Sequence, residues 1–244
     1  MIYRLWDSLA YSIYFIMVEP LLLVGSHSNR IGSTTELLCL AGEIPVYEQQ
    51  LVRLRMACPD SDDVYISLPN PSFLDQILEN PRIERTTETS LQLYHEPFTF
   101  PIQILYDHVD VVPAGGLLAA HRDDPDVSWL VVTCDYPFFS VSAARQLQAE
   151  MAEAVTCFEN SGGVYEPLLG IWTASALVLL EENVQNGILD PKSVVLKTKS
   201  TAVRPRDENW LFNMSTPAGY EQALGMSDYI ASFTEDIEAF NRFL

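Results

Sequence analysis

The chain has 244 residues, 48% of them hydrophobic and 19% charged, a globular composition that excludes wholesale disorder and allows one large domain with a sizeable core. Its 33 acidic residues against 14 basic ones give a formal charge of −19, which speaks against nucleic acid or an anionic membrane as a partner. Cys39, Cys58, Cys134 and Cys157 are scattered with no CxxC pair, so neither a zinc site nor a disulfide framework is indicated, and a reducing, cytoplasmic setting fits.

The N-terminal stretch MIYRLWDSLAYSIYFIMVEP is interrupted by Arg4, Asp7 and Glu19 and closed by Pro20. It falls short of the roughly 20 apolar residues of a membrane span and lacks the unbroken core and cleavage site of a signal peptide. Residues 1–16 are therefore expected to be an extension outside the fold, or to precede a natural start at Met17. LLLVGSHSNRIG (21–32) then begins as a continuous apolar run, the pattern of a strand buried on both faces, and breaks into a small, polar, glycine-punctuated loop carrying Arg30. Such a loop can cradle phosphates with backbone N–H groups. In PVYEQQLVRLRMAC (45–58), Val46, Leu51, Leu54 and Ala57 have helical spacing behind Pro45 in the first turn, predicting a helix over the first strand.

DVYISL (63–68), IQILY (102–106) and SWLVVTC (128–134) read as further strands at crossover spacing, which argues for a mostly parallel sheet with right-handed connections. Residues 84–101, polar and then aromatic, are expected to be an irregular excursion at the sheet rim. The strand at 128–134 delivers Asp135 at its C-terminal tip, with Pro137 ending the ladder just beyond. Open α/β sheets bind ligands at such tips. Helices are predicted at 114–123, 140–153 and 173–185, and strands in VTCFEN (155–160) and EPLLGIW (166–172). NWLFNMSTPAGYEQAL (209–224) reads as a short strand followed by Thr216 and Pro217 as the N-cap and first turn of a helix. The last stretch, 226–244, is an amphipathic pattern in which Tyr229, Ile230, Phe233, Ile237, Phe240 and Phe243 share one face that would dock on the domain. His95, His108 and His121 are too dispersed for a metal cluster, and the first loop lacks the GxGxxG spacing of a dinucleotide fold. A donor-rich loop and a strand-tip carboxylate over one crevice are what a nucleoside triphosphate with magnesium requires.

These residues resemble the MobA-like nucleotidyltransferases, the molybdenum cofactor guanylyltransferase family, whose first-loop signature, roughly LAGGxSxRMGxDKxLL, is similar to residues 23–38. The likeness continues in the family's order through PAGGLLAAH (113–121), TCDYPF (133–138), EPLLGIW (166–172) and FNMSTP (212–217). It implies a three-layer α/β/α Rossmann-like nucleotidyltransferase fold of the GT-A-like kind, with a mostly parallel mixed sheet, over residues 17–225. It implies transfer of a nucleotide from a triphosphate, GTP or CTP foremost, to a phosphorylated small-molecule acceptor of the molybdopterin type, with magnesium as cofactor and release of pyrophosphate. On the matching positions Asp135 would bind magnesium, Asp107 would assist on the acceptor side and touch the nucleotide, and Val24, Gly25, Ser26 and Arg30 would hold the nucleotide, with Arg30, Asp107 and Asp135 as the catalytic set. The chain departs from the pattern where Ser26 replaces the second glycine, Ile31 the methionine, Thr34 and Thr35 the aspartate-lysine pair, Val112 a glycine, and Ser215 an asparagine. The lysine contacts the triphosphate in this family. Its loss at Thr35 leaves a second reading open, a catalytically degenerate member that binds nucleotide or a protein partner without turnover.

Overall fold

The computed structural model describes residues 18–24, 39–40, 44–107, 111, 113–226 and 233–238. In chain order the strands are β1 (Val18–Leu23), β2 (Val64–Leu68), β3 (Ile83–Arg85), β4 (Ser90–His95), β5 (Phe98–Tyr106), β6 (Ser128–Thr133), β7 (Val155–Glu159), β8 (Tyr165–Trp172) and β9 (Thr201–Val203). The helices are α1 (Val46–Ala57), α2 (Pro71–Ile77), α3 (Gly115–Asp123), α4 (Val141–Ala149), α5 (Ala174–Gln185), α6 (Lys192–Lys197) and α7 (Pro217–Leu224). One sheet runs β3-β4-β5-β2-β1-β6-β8-β7-β9. Its centre, β5-β2-β1-β6, is parallel. The β3-β4 pair joins antiparallel to β5, and β8 lies antiparallel between β6 and β7.

Alternation along the central strands builds two cores, because successive side chains point to opposite faces. Leu22, Val24, Ile66, Leu68, Leu130 and Val132 meet Leu51 and Leu54 of α1 and Leu147 of α4. Leu21, Leu23, Trp129 and Val131 meet Leu117 and Leu118 of α3 and Leu177 and Leu180 of α5. The result is the expected three-layer α/β/α arrangement around a mixed sheet. Several helices start where a short polar side chain replaces a missing intrahelical partner. Asn70 caps α2, Ser140 caps α4, Thr173 caps α5 and Thr216 caps α7 with Pro217 next to it.

Three expectations are corrected. Residues 84–101 are not irregular but supply most of the β3-β4-β5 antiparallel edge, with Leu91 and Leu93 buried at every second position. Pro101 is tolerated inside β5 because it pairs with Gln92 of β4 just before β5 begins pairing with β2 at Ile102. The strand read near 209–212 is a 3-10 turn, Glu208–Leu211. Pro45 stands at the N-cap of α1, one residue before the first turn. The short elements α6 and β9 had no predicted counterpart.

Of the C-terminal pattern, residues 233–238 are helical with Phe233 buried. Among the described residues no helix is long and apolar enough to cross a membrane.

Candidate active site

The parallel strands β5, β2, β1 and β6 end on one edge of the sheet, and their ladder continues one residue past them. Val24 N–H donates to the Ser67 carbonyl at 3.1 Å, Cys134 N–H to the Leu23 carbonyl at 3.4 Å and Asp107 N–H to the Leu68 carbonyl at 2.9 Å. From β1 the chain first builds outward through β2 to β5 and then returns to place β6 on the other side of β1. That reversal is the switch point at which α/β sheets open a ligand crevice. Val24 and Asp135 flank it directly.

Asp107 leaves β5, which is three strand spacings from β6, or roughly 14 Å across the sheet. At that spacing the two carboxylates do not share one ion. Gly25, Ser26 and Arg30, and with them His27, Thr34 and Thr35, lie outside the described residues.

Asp107 is half-buried and accepts a short hydrogen bond from the Ser67 hydroxyl. Burial raises its carboxyl above the ordinary aspartate value, and the Ser67 bond offsets part of that rise. The PAGG turn brings the start of α3 against the same spot. A Cβ on Gly116 would meet Leu23 Cδ2 at 2.5 Å, Ser67 Oγ at 3.1 Å and Asp107 Oδ1 at 3.2 Å, so any larger residue here requires the Leu23 side chain to shift.

The turn carrying Asp135 is held from two sides. Met214 N–H donates to the Asp135 carbonyl at 2.9 Å, which fastens the 212–217 segment to it. From α1, Gln50 Nε2 donates to the carbonyls of Tyr136 at 3.1 Å and Pro137 at 3.2 Å, and Arg53 Nη1 donates to Pro137 O at 2.7 Å. The Tyr136 hydroxyl donates to Glu166 Oε2 at 2.8 Å. Burial, and then the neighbouring Glu166 charge, push that phenol well above the usual tyrosine range, so it remains a neutral donor at physiological pH. Asn213 accepts from Ser215 N–H at 2.9 Å, bracing its own turn, and also bonds Tyr136.

Sequence reasoning did not single out Ser67, Gly116, Tyr136, Glu166, Gln50 or Arg53. Gly116, Tyr136 and Glu166 lay inside the quoted motifs. Ser67, a hydroxyl near the end of an apolar strand, was a readable signal. Gln50 and Arg53 had none, because their partners are more than 80 residues away in the chain.

The family model for the MobA-like NTP transferase domain matches residues 20–200. The chain belongs to the MobA-like NTP transferase family. A curated relative, the molybdenum cofactor biosynthesis bifunctional protein of Synechocystis, is 24% identical over 206 residues, covering 83% of this chain and 52% of its own length. The chain thus spans about half the length of that relative. Among solved structures, molybdopterin-guanine dinucleotide biosynthesis protein A from Archaeoglobus fulgidus superposes with a TM-score of 0.64 at 18% identity, over 86% of this chain and 99% of that one. The 4-diphosphocytidyl-2C-methyl-D-erythritol synthase of Anaerococcus prevotii superposes at 0.58 with 10% identity, over 87% and 96%. At these identities the superpositions establish the nucleotidyltransferase fold. The family match carries the membership.

Proposed function

We propose that the chain transfers a nucleotide from a nucleoside triphosphate to a phosphorylated small-molecule acceptor. The carrying observation is the Asp135 turn at the switch point, tied through Met214 to the last family motif. An acceptor phosphate oxygen attacks the α-phosphorus in line, a new P–O bond forms, the bond to the β-phosphate oxygen breaks, and pyrophosphate leaves. Such chemistry needs positioning and charge neutralisation more than covalent help.

The donors fit a hard divalent cation. Magnesium takes oxygen ligands and is commonly held by one or two carboxylates together with substrate phosphates and water. A strand-tip aspartate suits this role, and among the described residues no cluster of three or more His, Cys, Asp or Glu side chains offers a closed cage. Magnesium, when bound at Asp135, neutralises phosphate charge. The chain's own groups do the rest. Val24, Gly25 and Ser26 supply backbone to the nucleotide, Arg30 a cation to its phosphates, and Asp107 an acceptor-side contact.

With Thr35 in place of the family lysine, one cation is missing, which lowers the rate by about 10² to 10³ without abolishing catalysis. The names of the relatives favour a molybdopterin-type acceptor, with GTP and CTP as the first donors to try.

Thermal unfolding with each of the four triphosphates, with and without magnesium, tests this reading, since a ligand that binds only the folded state raises the midpoint. One triphosphate should stabilise the protein only with magnesium, and Asp135→Ala should lose that stabilisation while staying folded. Asp135→Ala binding as tightly as the parent sinks the metal assignment. Triphosphate binding without pyrophosphate release on addition of phosphorylated acceptors decides for the non-catalytic reading.

A further inference from the structure

Arg53 is 2% exposed, in the middle of α1. A buried guanidinium is costly unless its charge and its donors are met, and here they are met by two distant parts of the chain. One is the turn that carries Asp135, through the 2.7 Å bond from Nη1 to Pro137 O. The other is the C-terminal segment, where Asp236 Oδ2 lies 3.4 Å from Nε and the Phe233 ring lies 5.2 Å beneath the guanidinium carbon. Phe233 in turn stands edge-on to His95, 5.6 Å between centroids, so it is wedged between α1 and β4. The fork of Arg53 is planar and rigid. Whatever fixes its Nε edge therefore fixes the Nη1 that grips Pro137.

We propose that Arg53 is a positioning residue for the Asp135 turn, and that residues 233–238 are the brace that sets it, so that the C-terminal segment governs how well the site holds its cation. This rests on the reading of Asp135 as the magnesium ligand. Gln50 holds the same turn independently, so loss of the brace loosens the turn without releasing it. The consequence is a weaker metal response with the fold kept, because groups that orient a metal ligand tune its affinity even when they never touch the ion.

The test uses the full chain and magnesium titrated against a fixed triphosphate, read as the half-saturating magnesium concentration. Asp236→Asn and Phe233→Leu should raise that concentration about three- to tenfold, and Arg53→Lys, which keeps the charge but loses the bond to Pro137, about tenfold or more. Asp236→Glu should recover most of the parent value. Val194→Ala, buried in the opposite core, lowers the urea midpoint and should leave the magnesium concentration where it was. That separates bracing from general destabilisation. Parental magnesium dependence in Asp236→Asn and Arg53→Lys overturns the brace alone, as does an equal shift in Val194→Ala. A parent that binds triphosphate with no magnesium dependence overturns the reading of Asp135 and the brace with it.

Discussion

A half-buried carboxylate and a fully buried one show how the same desolvation ends in opposite outcomes. Burial pushes up both Asp107 and Glu48. Asp107 has one hydroxyl to set against it and stays raised. Glu48, 0% exposed, receives His95 Nδ1 at 2.5 Å, Arg82 Nε at 2.7 Å, Arg82 Nη2 at 2.8 Å and Asn80 Nδ2 at 2.7 Å, and together these outweigh burial and hold it below the ordinary value. Hydrogen bonds to a charged group are worth about 1.5–3 kcal/mol each, so one donor moderates desolvation and several reverse it. Ser67→Ala follows directly. It removes the group that favours the ionised form of Asp107, so the carboxyl should titrate at higher pH than in the parent, read by carbon-13 NMR of the side chain. A midpoint that is unchanged or lower would show that the Ser67 bond has no hold on Asp107.

At the level of elements, the close approach of α3 to the tips of β1 and β2 turns on Gly116. Replacing a helical glycine by alanine gains up to about 1 kcal/mol from propensity. Here the new methyl would sit 2.5 Å from Leu23 Cδ2, in a core where Leu23 is buried. Overpacking of that kind costs about 1–3 kcal/mol, so the clash wins, and Gly116→Ala should lower stability by about 1–2 kcal/mol in urea unfolding; stability equal to the parent's would contradict the packing. The elements around this contact were legible in sequence for physical reasons. β1, β2 and β6 are apolar runs because they are buried on both faces, and α1, α3 and α5 repeat their apolar residues at helical spacing. The β3-β4-β5 edge was not, although Leu91 and Leu93 alternate, because polar Thr86–Thr89 and the proline pair at 97 and 101 mimic a loop. β9 has three residues and α6 six, too few for a period to show. The strand-tip aspartates were legible by motif, whereas the contacts that hold the Asp135 turn were not, since Gln50 and Arg53 reach the carbonyls of Tyr136 and Pro137, and Met214 that of Asp135, only after the chain has folded back.

Across the whole molecule, acidity and the Glu48 network act against each other as pH falls. Glu48 joins α1 to Asn80 and Arg82 after α2 and to His95 on β4, residues far apart in the chain. Its folded value lies below its unfolded one, so its contribution is present above pH 4.5 and is lost as pH falls through the folded value. Glu19, Asp107, Asp123 and Asp236 are raised, mainly by burial. Their contribution has the opposite sign, present below the unfolded value and lost as pH rises through the folded one. A formal charge of −19 adds self-repulsion that is strongest at neutral and alkaline pH. The balance predicts a urea midpoint that climbs as pH falls from 8 and turns down only below pH 4.5, where the Glu48 contribution is lost. Glu48→Gln separates the terms. It leaves Arg82 without its counter-charge and should cost about 2–4 kcal/mol at pH 7, while removing the ionisation responsible for part of the acid fall. Its midpoint should therefore converge on the parent's as pH drops below 4.5. If the gap between variant and parent stays constant from pH 7 to pH 3.5, the charge on Glu48 is not what ties the edge hairpin to α1.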